Sequence, residues 1–319
     1  MLTISCIQIL NVQFLLLSGF MLARLAGNRW TLALYLLSLS VLLFAMAYEK
    51  YQIMVFFMVL YVYLQTGPES RLEKRKKAPR VPEEGRNAVT AFLTDGGRHE
   101  LTLMISAGIM PITGFLYLYE LFRREGWAAK LRGIARTAAW GVLFLICTGR
   151  GHMLNIASAV QSGSATLHSA GLKGRVFREC LAAFMNLVQG SLIGLSSEAG
   201  EQYLWTGIMT HVSLLSVVIL SLILAGAAVR WKEPFTKYCA LWLAGAAVLL
   251  IAVQWAIHVS PLFGVYFFWA LIPLFQQGLQ FCVEKFRWRE RAVYGGVLIS
   301  MLAVNAAVML DVAKFLRGL

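Results

Sequence analysis

The sequence predicts an all-α protein: a polytopic membrane bundle of about eight to ten transmembrane helices. Two observations predict it. First, 59% of the 319 residues are hydrophobic and only 14% are charged, with a mean hydropathy of +0.67. Soluble domains carry about 45–50% apolar and about 25% charged residues, so a disordered chain, a disulfide-stapled module and an ordinary cytosolic enzyme are excluded as classes. Second, apolar runs near the length of roughly 20 residues needed to cross the hydrocarbon recur along the chain. Each must be helical, because an open sheet would leave backbone groups unpaired in lipid. The whole of 1–319 therefore reads as one integral membrane domain.

Taken in order, the expected spans are 3–23, 30–48, 51–65, 100–122, 137–158, 204–228, 237–258, 262–283 and 292–314. A weaker one, 177–197, is interrupted by Asn186, Gln189 and Ser191. The first run has no basic residue before it and is followed by Arg24 and Arg29. That pattern reads as a first span with its N-terminus outside, not as a cleaved signal. Residues 66–99 hold eight basic and five acidic residues, two prolines in KKAPRVPEE and a turn at Asp95-Gly96-Gly97. They read as a basic cytoplasmic loop, a docking surface for a cytosolic or membrane partner or for lipid headgroups.

Charge sets the topology. Arg24/Arg29, the 66–99 loop, Arg230/Lys232/Lys237 and Lys285/Arg287/Arg289/Arg291 read as cytoplasmic by the positive-inside bias. Residues 123–136 are also basic and read as a loop, so two arrangements stand. In the favoured one, 100–122 is a re-entrant hairpin broken near Gly108, Pro111 and Gly114, and 177–197 does not span. Residues 159–203 then form an external interfacial segment. In the other, every run crosses, and the 123–136 charges face outward to grip a lipid phosphate.

The net charge of +13 therefore belongs with anionic lipid. No nucleic-acid motif accompanies it. The five cysteines are scattered and form no C-x-x-C pair, and the five histidines show no zinc spacing. Neither a metal nor a cofactor is expected.

Polar groups within apolar runs are the candidates for chemistry. In Cys147-Thr148-Gly149-Arg150-Gly151-His152-Met153-Leu154-Asn155, His152 and Asn155 share a helix face and Arg150 lies at similar depth. Arginine grips phosphate bidentately, so the trio reads as an anion clamp, or else as a helix end with Arg150 snorkelling to the interface. The 159–203 stretch offers Arg175 and Arg178 as further basic contacts, and Glu198 or Glu201 as a general base. A third feature is the stripe of Gln277, Gln280 and Glu284 with Gln276 beside it. It reads either as interhelical hydrogen bonds or as a polar groove for sugar hydroxyls. Gln254 and His258 form a similar pair one span earlier.

The C-terminal third, from RWKEPFTKYCALW through HVSPLFGVYFFWALIPLFQQ to FRWRERAVYGG, resembles the closing spans of GT-C-type glycosyltransferases. The likeness lies in an external turn, His258 to Pro261, leading into a helix with Tyr266 and Pro273. The early pattern FLLLSGFMLARLAGNRWTLALY is similar to that family's first spans. LFLICTGRGHMLNIASA resembles the arginine-bearing spans of O-antigen polymerases and ligases. Two positions depart from the GT-C pattern. No long acidic first external loop is present, and Val265 stands where an arginine precedes the tyrosine. The resemblance implies a protein of the bacterial cytoplasmic membrane that acts on polyprenyl-phosphate-linked sugars in cell-surface glycan assembly. The departures imply a shortened, split or non-catalytic member, which makes a non-enzymatic subunit of a transporter, permease or flippase complex the alternative.

Overall fold

The computed structural model describes residues 2–46, 51–67, 102–103, 105, 116–117, 126–148, 177–194, 212–248 and 260–318. Among them the chain is all-helical, with no strand. The helices are α1 Leu2–Ala26, α2 Trp30–Leu37, α3 Leu39–Met46, α4 Tyr51–Thr66 and α5 Trp127–Thr148. They continue with α6 Phe177–Leu192, α7 Leu214–Val229, α8 Pro234–Ala247, α9 Ser260–Phe286 and α10 Glu290–Gly318.

Local chemistry sets the ends. Gly27 has φ 65° after α1, and Asn28 N–H donates back to the Ala23 carbonyl, a Schellman closure that a glycine makes without strain. Arg287 performs the same turn after α9 with φ 55°, and Trp288 N–H donates to the Val283 carbonyl at 3.0 Å. Ser213 caps α7 by accepting from Ser216 N–H at 3.0 Å. Pro234 opens α8 at a position where its missing N–H costs nothing.

α9 is the axis of the fold. It packs against α1, α2, α3, α4, α6, α7, α8 and α10, and Tyr266 to Leu279 are buried. Its tightest neighbour is α7. A Cβ added to Gly226 would strike the Leu274 carbonyl oxygen and sit 2.7 Å from Gly278 N. One added to Gly278 would sit 2.6 Å from the Leu222 carbonyl carbon. The two backbones therefore touch, the small-residue packing typical of helices in lipid. Among the described helices, α5 alone makes no close packing with another.

The expected span 30–48 is two short helices. Ser38 is extended at ψ 141° between α2 and α3, and its hydroxyl donates to the Tyr35 carbonyl at 2.7 Å. Two other expectations are corrected. The basic stretch 123–136 is not all loop: α5 begins at Trp127, because Ala128, Ala129, Leu131 and Ala135 favour helix. Within 159–203, α6 does not lie at an interface. Ala182 to Ser191 are buried among α3, α7 and α9. Asn186 and Gln189, which interrupt the apolar run 177–197, are both buried, and Ser213 donates its hydroxyl to the Gln189 side-chain oxygen. Of 100–122, the described Leu103, Leu116 and Tyr117 are helical and buried. The choice between hairpin and crossing lies outside the described residues, as does the 68–99 part of the basic loop.

Apolar side chains cover the outside of several described helices as well as filling the core. The flanks of α1, α7 and α10 expose Ile9, Phe20, Leu214, Val218, Ile299 and Leu302, with Leu214 81% and Ile299 69% accessible. The interior, mostly apolar, also holds Asn11, Ser18, Gln52, Asn186, Gln276, Gln277 and Asn305. Two described segments, Gln8–Ala26 and Glu290–Lys314, are long and apolar enough to cross a membrane.

The basic turns gather at one end. Trp30, just after the α1–α2 turn, donates its indole N–H to Glu290 at 2.7 Å, joining that turn to the α9–α10 turn. α8 runs antiparallel to α9: Thr236 meets Gln277, and eleven residues back along α9 the Tyr266 carbonyl accepts from the Trp242 indole at 2.6 Å. The α7–α8 turn is therefore at the same end. Arg24, Arg29, Arg230, Lys232, Lys285, Arg287, Arg289 and Arg291 share this end with Trp30, Trp231 and Trp288.

Candidate functional site

Three of the residues expected to bind substrate are described with their side chains: the adjacent Gln276 and Gln277, and Gln280 one α9 turn further on. Gln277 exchanges hydrogen bonds with Thr236 of α8, at 3.3 Å from the hydroxyl to its Oε1 and 3.2 Å from its Nε2 to the hydroxyl. Gln276 donates Nε2–H to the Tyr294 hydroxyl at 3.1 Å. That hydroxyl lies 3.2 Å from the Gln276 carbonyl and 3.3 Å from Gln280 Oε1. Gln280 in turn donates to Glu284 at 2.8 Å. The stripe thus ties α9 to α8 and α10, the geometry of interhelical hydrogen bonding. One buried acceptor, Gln276 Oε1, has no partner. Arg178 lies in the first turn of α6. Arg150, His152, Asn155, Arg175, Glu198 and Glu201 lie outside the described residues, as do Gln254 and His258.

The polar ladder reaches the basic end through aromatic rings. Tyr294 stacks on Trp30 with centroids 5.0 Å apart and planes 2° from parallel. The Arg29 guanidinium lies 5.3 Å over the Trp30 ring. With the Glu290 bond to its N–H and the stack on Tyr294, Trp30 anchors α2 to α10.

A second polar centre surrounds Asn305 of α10, which is fully buried. Its Nδ2 donates to the Leu37 carbonyl at 2.7 Å and the Leu192 carbonyl at 2.8 Å. Its Oδ1 accepts from Gly194 N–H at 2.9 Å. One amide therefore satisfies the end of α6 and the break after α2. Nearby, a Cβ at Gly264 would lie 2.7 Å from the Ser191 hydroxyl and 2.8 Å from that of Ser40, so α3, α6 and α9 meet over small residues.

A third feature was missed by the sequence reading. Between α7 and α8 lies a groove of about 590 Å³. Leu220, Leu224 and Ala227 form one wall and Ala240, Ala244 and Ala247 the other, over a floor of Phe184 and Leu274. Trp231 and Lys237 stand at its mouth, on the basic end. The signal was present in AlaLeuTrpLeuAlaGlyAlaAla, 240–247, whose small residues recur along one helix face and carve space beside the leucines of α7.

Among the described residues no group of three or more His, Cys, Asp or Glu comes together as metal ligands would. No family model, curated protein or solved structure matches the chain.

Proposed function

We propose that the chain is a multi-pass integral protein of a bacterial cytoplasmic membrane, seated with its basic end toward the cytoplasm. On this reading it is a glycosyltransferase-like protein that acts on polyprenyl-phosphate-linked sugars in cell-surface glycan assembly. The observation that carries the membrane placement is the exposed apolar surface: leucine, isoleucine and valine face outward along α1, α7 and α10. The gathering of basic and tryptophan-bearing turns at one end supports its orientation. The glycan part is supported by the sequence resemblance.

In this proposal the Arg150 guanidinium, with His152 and Asn155 beside it and Arg175 and Arg178 from the neighbouring segment, holds the lipid phosphate. The carboxylate of Glu198 or Glu201 takes the proton of an acceptor hydroxyl. The freed oxygen bonds to the anomeric carbon as the bond from that carbon to the phosphate oxygen breaks. The leaving lipid phosphate keeps the electron pair, and the arginine neutralises its charge. The test is Arg150→Ala in the native host. Loss of glycan assembly by about a hundredfold or more, with the protein still inserted, is expected from removing such a contact; unchanged assembly overturns the glycan reading.

One observation favours a second reading, a non-enzymatic subunit of a transporter, permease or flippase complex. The amides of Gln276, Gln277 and Gln280 are engaged in helix packing, so they do not stand ready to read sugar hydroxyls. Deleting 72–86 separates the two: loss of a co-purifying partner from an inserted chain favours the subunit, and sugar transfer by the partner-free chain favours the enzyme.

A further inference from the structure

We propose that the α7–α8 groove is a binding site for one acyl chain of an anionic phospholipid, whose phosphate is held at the groove mouth by Lys237 and Lys232. The argument starts from shape. From Lys237 to Ala247 the α8 wall runs ten residues, about 15 Å at 1.5 Å per residue. That is the depth of one leaflet of a hydrocarbon core roughly 30 Å thick. The volume of about 590 Å³ falls in the range of roughly 300–1,000 Å³ found for sites that enclose small molecules. Small side chains on α8 open the space, and its floor of Phe184 and Leu274 is apolar, so it suits a methylene chain and nothing that needs hydrogen bonds.

Charge then selects the headgroup. Arg230 is paired with Glu233 at 3.5 Å. Among the described residues, Lys232 and Lys237 have no carboxylate partner. Lys237 is half-buried and lines the groove, and a lysine at an interface can lay its stem along an apolar wall while its ammonium reaches the headgroups. Trp231 is 55% accessible beside it, at the depth where indoles sit among headgroups. The occupant is therefore a lipid of the leaflet that the basic end faces, carrying net negative charge.

This inference rests on the membrane placement proposed above but not on the glycan reading. It is tested on the full chain in vesicles of phosphatidylcholine or phosphatidylglycerol with brominated acyl chains. The Trp231 signal is isolated by difference from Trp231→Phe. Half-quenching of that signal is expected at about a fivefold lower mole fraction of the brominated phosphatidylglycerol. Lys237→Gln should abolish most of the preference, and Ala244→Leu, which fills the groove, should weaken quenching by both lipids. Equal quenching by the two headgroups overturns the proposal, since only ordinary boundary lipid is then present. No quenching by either, in a chain that stays inserted, overturns it in favour of a protein partner covering the groove. Release of the chain by an alkaline carbonate wash instead removes the membrane placement itself.

Discussion

Asn305 concentrates more backbone satisfaction than any single polar side chain described above. Its amide meets Leu37, Leu192 and Gly194, groups that lie far from it in sequence. Asn305→Ala strands two carbonyls and an N–H away from water, and a loss of about 2 kcal/mol of stability is expected. Asn305→Asp keeps the acceptor for Gly194 but cannot donate to both carbonyls, so thermal unfolding in detergent should place it near the alanine variant. Arg287 offers the opposite sign. A non-glycine residue at φ 55° is strained by about 1–2 kcal/mol, so Arg287→Gly should raise the unfolding midpoint. At this scale the sequence was partly legible. Asn305 stood out as a polar residue inside an apolar run, but its partners are backbone atoms, which carry no residue-type signal. The glutamine stripe was visible in its spacing. Tyr294 and Thr236, which complete it, come from other helices and were not.

At the scale of elements, the α7–α9 contact depends on two positions without a side chain. Gly278→Val drives a branched Cβ into the Leu222 carbonyl, and the folded yield in detergent should collapse. Gly245→Ala is the control, since nothing lies within 4 Å of its added Cβ. There the ordinary helix advantage of alanine, about 0.5–1 kcal/mol, should appear as a gain. Length and apolarity made most helices legible, including α1, α4, α9 and α10. Burial direction was not, because hydropathy alone does not say whether a polar face meets water or a neighbouring helix. Asn186 and Gln189 on α6 show this: the same periodicity describes an interfacial helix and a core helix whose amides turn inward. The break at Ser38 was equally hidden, since serine flanked by leucines is common in continuous helices.

For the whole molecule, the exposed apolar flanks make a prediction that separates a lipid surround from water. Leu302 is 52% accessible near the middle of α10. In water, Leu302→Arg would be nearly neutral; at the centre of a bilayer it costs about 2.5–3.5 kcal/mol of insertion. A glycosylation-mapping assay of the α10 segment reads that difference directly, and efficient insertion of the arginine variant would count against the membrane placement. Composition and the recurrence of apolar runs made the all-helical class legible before any coordinates. The candidate site was legible only as residue types, and Arg150, His152, Glu198 and Glu201 lie outside the described residues. The bond network of Asn305 also imposes an order of events. Chains are synthesised from the N-terminus, so the carbonyls of Leu37 and Leu192 emerge from the ribosome long before the amide that receives them. Until α10 arrives, α2 and α6 are held by provisional contacts, and α10 acts as the latch that joins them.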